Sequence, residues 1–457
     1  MYYRPTLTHK QINQELLGPT LSTPVWWFVL VGLLGVVVAG AASSVGFMLN
    51  QGLGVTGLNR PVFWGFFITT FVFWVGISHA GVMISAILRL SQAEWRRPMT
   101  RAAETMTVFS LMTAAMMPLF HEGRPWRVIY WIAPYDWARG IWPDIRSPLV
   151  WDPAAIGTYL TGSILFVYTA LIPDLAVLRD RTTGWRHVLY SVLALGWHGS
   201  PKQWKLQGIF GILLSALILP VFVSVHSIVS WDFGMTLVPS WHVTIFAPYF
   251  VIGAVLSGVA AVITLMIIMR VLFKWENYIW EEHIDAVTRL LIAVAVGWHF
   301  LFWLDLVFAF WTREESELVV WQLRLFEAPW SWLFLIFYTF SFVIPVPLWL
   351  FRRVRRNMAL MFFTSLLINV GMFCERLIII VPALMRKGTM AFDFASYRPS
   401  PVEITIVAGT FALVGMLLLL FSKIFPLIPL WEAKEGVVLK AEITVGNIKV
   451  PAIVKED

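Results

Sequence analysis

Cysteine is almost absent from this 457-residue sequence, which contains only Cys374. A single cysteine cannot form an internal disulfide, and it cannot supply the set of thiolates that holds an iron–sulfur cluster or a cysteine-ligated structural zinc ion. Any such centre that works with this protein must therefore be held by a partner chain.

Charged residues are also scarce. Asp, Glu, Lys and Arg make up 13% of the chain, whereas hydrophobic residues make up 58%, including 25 Trp and 34 Phe. This composition lies outside the range of soluble domains. The net charge of +7 would suggest nucleic acid as the partner of a soluble protein, but here the lipid bilayer is the expected partner and no nucleic acid is.

The alternating ten-residue pattern of a membrane β-barrel is missing, so a helical bundle is the remaining way to satisfy the backbone in lipid. A helix needs about 20 apolar residues to cross the bilayer core. Ten such segments are present, at residues 24–49, 62–90, 102–120, 153–178, 206–227, 242–269, 286–311, 328–351, 357–382 and 402–422. We therefore expect an all-α integral membrane protein of about ten transmembrane helices, arranged as two four-helix bundles plus two flanking helices.

Lys and Arg concentrate in every second connection, which holds 23 of the 34 basic residues. These connections are the N-terminus, the C-terminal tail and residues 89–101, 179–205, 270–289 and 352–356. Because basic loops stay in the cytoplasm, both termini are predicted to be cytoplasmic. The predicted division is a cytoplasmic segment 1–23, a membrane domain 24–425 and a cytoplasmic tail 426–457.

Two connections and the tail depart from the pattern of short loops. The outer loop 121–152 carries five tryptophans and is too apolar for a solvated loop, so it is expected to lie in the interface or beneath another protein. The middle of the inner stretch 179–205 is expected to form a short helix on the membrane surface. In the tail, alternating residues predict a small hairpin that turns near Gly446.

Ionisable side chains inside the apolar segments cost roughly 2.5 to 3.5 kcal/mol each on insertion scales, so each one needs a physical reason. At the outer end of the segments lie His121, Asp152, His226, Asp232, His242, Asp305, Glu375, Arg376 and Glu403. Near the middle lie His79 and His299, and towards the inner end Glu104, Asp174, Glu282, His283 and Asp285. Their concentration at the outer end is the first indication of where the function lies.

His121 ends the third segment and Asp152 begins the fourth, so consecutive helices place both side chains near the outer interface. A histidine beside a carboxylate can accept a proton near neutral pH and pass it to water. This suits a quinol, which must lose two hydroxyl protons when its electrons leave. The two are therefore the candidate catalytic residues, and Arg124, Trp126 and Tyr159 are candidates for the rest of a quinol-binding site.

Structural interpretations compete with this functional one. The polar residues around His121 could simply reach into the lipid headgroups, and Asp152, directly before Pro153, could be a helix N-cap. Glu375 and Arg376 point about 100° apart on a helix, so each is expected to find a partner on another helix. His79, beside small residues, fits a packing role.

Haem binding is the alternative for the histidines. It needs two of them facing each other at matching depth. His226 with His242, and His79 with His299, come closest to this arrangement, but neither gives the two-per-helix pattern of a haem-stacking bundle. We therefore expect no haem in this chain.

The stretch "HEGRP" at 121–125, followed by Arg127, resembles the signature of the NrfD/PsrC-like family of quinone-interacting membrane subunits. Stretches 225–250, 276–291 and 368–384 resemble the ten-helix members in the same order, and the C subunits of bacterial alternative complex III are the most similar group. Together they cover most of the chain from the second segment to the tenth.

The resemblance implies a quinol-oxidising subunit of the bacterial cytoplasmic membrane that holds no metal of its own. Quinol, with menaquinol as the expected form, would bind at the outer face, where His121 and Asp152 match the histidine and aspartate of the family. Electrons would pass to an iron–sulfur cluster in a periplasmic partner and on to c-type haems in cytochrome subunits. A second NrfD-like membrane subunit is the other expected partner.

Members of this family are also proposed to move protons across the membrane, which requires a chain of polar residues. The candidates here are His79, Glu104, Asp174, His299, Asp305, Glu375 and Arg376. The same residues could instead be paired structurally.

Two other functions are open from the sequence. A secondary transporter is also a polytopic bundle with buried charges, but its broken helices near the membrane midplane and its internal repeats are not evident here. A scaffold that only seats partner subunits would explain the tryptophan-rich outer loop. Substrate flux by the subunit alone would indicate the transporter, and quinol oxidation that survives loss of His121 would indicate the scaffold.

Overall fold

A computed structural model describes residues 7–127, 146–385 and 396–438 together with the strand residues 442–445 and 448–451. Within these residues ten helices are long and apolar enough to cross a membrane. They are α2 (Val25–Gln51), α3 (Phe66–Leu90), α4 (Thr100–His121), α5 (Pro148–Arg179), α7 (Pro201–Gly234), α8 (Phe246–Phe273), α9 (Glu281–Thr312), α11 (Trp330–Leu350), α12 (Met358–Met385) and α13 (Pro401–Phe421). The predicted all-α membrane fold with ten spans is confirmed.

Shorter elements flank the spans. They are α1 (His9–Leu21), α6 (Trp185–Leu193), α10 (Glu315–Phe326), α14 (Leu430–Val438), and the strands β1 (Glu442–Val445) and β2 (Ile448–Pro451). Helix α6 is the short helix predicted within 179–205. The two strands pair antiparallel with Val445 opposite Ile448, so the hairpin predicted near Gly446 is confirmed.

The spans begin where the sequence provides helix starts. The side chain of Ser200 accepts a hydrogen bond from the backbone of Gln203, and Pro201 occupies the first helical position of α7. Helix α5 begins in the same way, with Ser147 before Pro148, although Ser147 makes no side-chain cap. Both helices therefore start about five residues before the predicted apolar segments, because the caps are polar and hydropathy does not detect them.

The spans form two four-helix bundles and one flanking pair. Helices α3, α4, α5 and α7 pack together as the first bundle, and α8, α9, α11 and α12 as the second. Helix α2 packs against α13, and α13 in turn contacts α3 and α4. This is the arrangement expected from the sequence.

Small residues allow the two bundles to approach closely along α3 and α8. A Cβ atom added at Gly258 would lie 3.0 Å from the backbone nitrogen of Ala80 and 3.1 Å from the carbonyl oxygen of Ile77. A Cβ atom added at Gly76 would likewise lie 3.6 Å from the Cα atom of Ala254. Such small-residue contacts bring helix backbones together in lipid, where packing replaces the hydrophobic effect as the driving force.

The connections after α2, α4, α7, α9 and α12 form one end of the bundles, and we call it the outer end because the distribution of basic residues predicts that it faces away from the cytoplasm. Helices α1 and α14 lie together at the opposite, inner end. The side-chain nitrogen of Lys423 donates a hydrogen bond to the carbonyl oxygen of Ser22 there, at 2.8 Å. Both ends of the described chain are therefore on one side, and its assignment to the cytoplasm stays a prediction.

Candidate functional site

His121 is the last residue of α4, and the turn that follows is built on glycine. Gly123 has a φ of +66°, and a Cβ atom at this position would lie 2.7 Å from Cγ of Leu53. A left-handed conformation in a tight space admits glycine with the least strain. The glycine of "HEGRP" therefore ends α4 directly after the histidine.

Gly123→Ala tests this turn. We expect the variant to lose about 1 to 2 kcal/mol of stability from the left-handed conformation, with a further cost because Leu53 must move. The melting temperature of the purified protein measures the effect. Gly54→Ala is the control, since its added Cβ meets nothing within 4 Å. Equal melting temperatures for the two variants would contradict the role of Gly123.

The residues after Gly123 do not form a pocket in the described part of this chain. Trp126 exposes 66% of its surface, and Arg124 is exposed as well. Residues 128–145 of the tryptophan-rich loop lie outside the described residues. The described residues therefore form no pocket at Arg124 and Trp126. Their predicted contact with quinol stays a prediction.

Asp152 lies inside α5 and is not its N-cap. Because α5 starts at Pro148, the aspartate falls in the second helical turn, and the N-cap interpretation is wrong. The residue is 4% exposed, and its carboxyl group lies beside the carboxyl group of Asp232 on α7, close enough for a side-chain hydrogen bond. A hydrogen bond between two carboxyl groups requires a proton on one of them.

The pair of Asp152 and Asp232, called here the carboxyl pair, retains free capacity. Each aspartate leaves one buried oxygen that has no hydrogen-bond partner among residues 7–127, 146–385 and 396–438. Buried oxygens without partners are uncommon and mark a place for a ligand or water. His121 lies at the same end of the neighbouring helix. Within the described part of the chain its buried Nδ1 also has no partner, and no hydrogen bond joins it to Asp152.

Tyr159 lies deeper than predicted. It follows Asp152 by seven residues, which places it two helical turns, or about 10 Å, further into the bundle. Its hydroxyl donates to the carbonyl oxygen of Ser78 at 3.0 Å. The tyrosine therefore packs beside the histidine that follows Ser78, and it does not line the outer site with His121.

Two histidines face each other below the carboxyl pair. The ring centroids of His79 and His226 are 4.6 Å apart, and the ring of Tyr159 is 5.7 Å from that of His79. Nδ1 of His79 lies 2.8 Å from the carbonyl oxygen of Val75, whereas among the described residues its Nε2 and both nitrogens of His226 are buried without a partner in hydrogen-bond geometry. The histidine pairs considered for haem do not form, because His226 meets His79 instead.

Further unpaired polar groups follow the first bundle inward. Buried hydroxyl oxygens without a hydrogen-bond partner belong to Thr69, Thr70, Thr105, Ser110, Thr113 and Ser163. At the inner side Ser85 donates a hydrogen bond to Glu104, whose second oxygen is buried and unpaired. Ser85 lies in a π-helical turn of α3, Val82–Ile87, and such turns are frequent at functional sites. The first bundle therefore contains buried polar groups at several depths between the carboxyl pair and Glu104, and this set is called here the polar column.

Asp174 has a different environment. It forms a fully buried ion pair with Arg101 on α4. It also accepts hydrogen bonds from the backbone nitrogens of Leu430 and Trp431 at 3.1 and 3.3 Å. The aspartate therefore anchors the start of α14 at the inner end of the first bundle.

Helix α14 is held by a second set of charges. The buried carboxylate of Glu432 pairs with Arg89 at 3.1 Å and with Arg96 at 3.2 Å. Arg97 pairs with the more exposed Glu435 at 2.7 Å. The C-terminal helix thereby covers the inner end of the polar column, a role that no transmembrane pattern in the sequence predicts.

Glu375 and Arg376 form their own buried cluster in the second bundle. Glu375 pairs with Arg376 and accepts hydrogen bonds from the hydroxyl of Tyr249 and from Nε1 of Trp298, the latter at 3.1 Å. The expected partner from another helix is found for Glu375, whereas Arg376 pairs with its own neighbour and lies 5.1 Å from the ring of Phe250.

A small cavity adjoins this cluster at the outer end. It measures about 20 Å³, room for one water molecule, and Tyr249, Asp305, Arg324 and Glu375 contribute its polar lining. Burial lowers the pKa of the Arg324 guanidinium to about 10, with Asp305 acting in the opposite direction. Asp305 and Glu375 therefore line the same small pocket.

His299 belongs to neither cluster. Its Nε2 lies 2.8 Å from Nε1 of Trp303, and its ring stacks on Phe342 with 3.6 Å between centroids. The predicted proton-path residues thus divide by bundle: His79, Glu104 and Asp174 lie in the first and Asp305, Glu375 and Arg376 in the second.

Asp232 is the functional candidate that sequence reasoning did not assign to the site. It stands among the ionisable residues at the outer end, but nothing in the spacing of α7 shows that it faces Asp152 on α5. The only indication in the sequence is the free-energy cost of placing the ionisable side chain of Asp232 in an apolar segment. The pairing depends on how the two helices are rotated against each other.

Fold and site together define a polytopic membrane protein with two helical bundles and unpaired ionisable groups buried at its outer end. The family model for polysulphide reductase, NrfD, matches residues 54–387. The chain belongs to this family, as its sequence motifs predict.

Two curated relatives are similar over nearly their whole length. A putative membrane subunit of dimethyl sulfoxide reductase from Halobacterium salinarum is 21% identical over 429 residues, which cover 88% of this chain and 91% of that protein. A selenate reductase subunit from Mesobacillus selenatarsenatis is 21% identical over 436 residues, covering 90% and 95%. Both relatives are named as subunits of reductases.

Proposed function

We propose that this chain is the quinol-oxidising subunit of an alternative complex III type quinol:electron-acceptor oxidoreductase in the bacterial cytoplasmic membrane. Quinol, with menaquinol as the expected substrate, binds near the periplasmic face at His121 and Asp152. Its electrons pass to an iron–sulfur cluster of a periplasmic partner and then to c-type cytochromes, with a second NrfD-like subunit in the same complex.

The carboxyl pair is the observation that carries this proposal. Two-electron oxidation of a quinol releases two protons, and groups positioned within hydrogen-bond reach must accept them. Within the described residues, Asp152 and Asp232 have one buried oxygen each without a partner, and the buried Nδ1 of His121 at the outer end of α4 has none either. A quinol hydroxyl that reaches this end of the first bundle would therefore meet buried acceptor atoms that have no hydrogen-bond partner among the described residues.

The acceptor of the electrons has a second candidate. The two curated relatives are named as reductase subunits, for dimethyl sulfoxide and for selenate. A reductase consumes electrons, so a membrane subunit that serves one also has to withdraw them from a donor such as quinol. Quinol oxidation by the purified complex with cytochrome c, dimethyl sulfoxide or selenate as acceptor distinguishes these alternatives.

Proton movement is the further part of the proposal. The unpaired groups between the carboxyl pair and Glu104, with His79 between them, support a water-containing path through the first bundle. Asp174 then anchors α14 at the inner end of that path. Asp305, Glu375 and Arg376 provide a separate polar cluster in the second bundle, and His299 is assigned no part in either.

His121→Ala tests the quinol site. We expect quinol oxidation by the purified complex to fall by about 10²-fold or more, the usual contribution of a positioned proton acceptor, and bound quinone to be lost. His187→Ala is the control, since this exposed histidine lies on α6 at the inner end. Rates like those of the wild type in an assembled His121→Ala complex would refute the assignment and favour a scaffold.

A further inference from the structure

A histidine and two glutamates meet at the outer end of the second bundle, apart from the carboxyl pair and the polar column. His242 lies in the connection between α7 and α8, and Glu314 and Glu317 lie at the start of α10. Nε2 of the histidine is 3.7 Å from Oε2 of Glu314 and 3.5 Å from Oε1 of Glu317. The three atoms all lie within 4.8 Å of one another.

The tautomer of His242 directs a lone pair towards the glutamates. Its Nδ1 lies 2.9 Å from the carbonyl oxygen of Val238, and since a carbonyl only accepts, Nδ1 carries the proton. In the neutral ring Nε2 is then an acceptor. Histidines that bind metals are commonly held in this way, with the other ring nitrogen donating to a carbonyl.

Glu317 is the second, independent indication of a ligand. Its side chain is 9% exposed, and among the described residues no hydrogen bond reaches its carboxylate. Nearby Arg324 is occupied elsewhere, because its guanidinium donates to Ser240 at 2.8 Å and to the carbonyl oxygen of Ile378 at 3.2 Å. Arg324 therefore contributes only its charge and no hydrogen bond, and a carboxylate that borders a second carboxylate favours a further positive partner.

We propose that His242, Glu314 and Glu317 bind a divalent transition-metal ion. Two ligands at about 2.0 to 2.1 Å from a tetrahedral zinc ion are about 3.3 to 3.4 Å apart. The separations of 3.5 and 3.7 Å from the histidine are close to this value, and the two glutamate oxygens, which lie within 4.8 Å of each other, have to move closer when the ion binds. One imidazole with two carboxylates suits zinc and its neighbours. The ion ties the connection between α7 and α8 to α10, and its fourth position is open to water or to a ligand from a partner.

Neither a cysteine pair nor a two-histidine motif takes part, which is why the sequence predicts no metal in this chain. His242 is separated from the glutamates by more than 70 residues. Only the folded connection brings the three side chains together.

Zinc binding to the purified complex tests the site. After treatment with a chelator, the complex is titrated with zinc, and the bound zinc per complex is measured by mass spectrometry after gel filtration. We expect the wild type to bind one zinc ion more than His242→Ala at micromolar zinc, with at least about 10-fold weaker binding at this site in Glu317→Gln. Glu315→Gln, an exposed glutamate of the same turn, serves as the matched control and should bind like the wild type.

Cobalt gives an independent spectroscopic readout. A visible absorption band of bound cobalt is expected in the wild type and in Glu315→Gln, and its loss is expected in His242→Ala. Equal zinc content in the wild type and His242→Ala, or wild-type binding only at millimolar zinc, would overturn the proposal. If the His242→Ala complex does not assemble, the zinc affinity of Glu317→Gln is compared with that of the wild type instead, and equal affinities would overturn the proposal. Quinol oxidation is not the readout, so the two proposals can fail separately.

Discussion

Asp152→Asn is expected to slow quinol oxidation by about 10² to 10⁴-fold, the range over which a positioned proton acceptor contributes to a reaction. Asparagine keeps the shape of the side chain and can still form a hydrogen bond with Asp232, but its amide does not take up a proton. The steady-state rate of quinol oxidation by the purified complex measures the effect, and the amount of assembled complex should stay close to that of the wild type.

The same substitution at the other end of α5 provides the control. Asp180 follows the helix directly, its side chain is 64% exposed, and it pairs with Arg179 at the surface. Asp180→Asn should oxidise quinol at the wild-type rate. If Asp152→Asn also did so, the carboxyl pair would not be the proton acceptor, and the quinol site would have to lie elsewhere.

Arg101→Met is expected to cost about 3 to 5 kcal/mol of stability, because removal of one partner leaves the carboxylate of Asp174 buried without its countercharge. The guanidinium also donates to the carbonyl oxygen of Ala170 at 2.8 Å. Loss of these contacts should lower the melting temperature of the complex. It should also release α14, which is visible as faster amide hydrogen exchange in residues 430–438.

Arg97→Met is the matched control for this experiment. Arg97 pairs with Glu94 and Glu435, whose side chains are 57% and 51% exposed. Exposed ion pairs contribute about 0 to 1 kcal/mol, so only a small shift of the melting temperature is expected. Equal shifts in the two variants would show that the buried pair does not determine the stability of the inner end.

The contact of Asp174 with α14 changes the interpretation of this residue. In the sequence it is an isolated carboxylate near the inner end of a span, and the requirement for a proton path makes it a candidate. In the structure its charge is matched by Arg101 and by two backbone donors of the tail. Asp174 therefore has a structural function that is sufficient to explain its presence in the membrane.

Several properties of this protein follow from the sequence alone. Ten spans, the short helix α6 and the terminal hairpin are predicted correctly, because hydropathy and alternation are local and are read one segment at a time. The family is likewise recognisable from short motifs such as "HEGRP". Hydropathy places the starts of α5 and α7 about five residues too late, because polar cap residues determine where these helices begin.

The tertiary structure decides which buried groups meet. Asp152 lies beside Asp232, His79 lies beside His226, and His242 lies beside two glutamates at the start of α10. None of these pairs has a sequence spacing that predicts it. Depth in the membrane follows from position along a span, but the direction of a side chain follows from the rotation of its helix. That rotation is set by close contacts between small residues on neighbouring helices, such as Gly258 against Ala80.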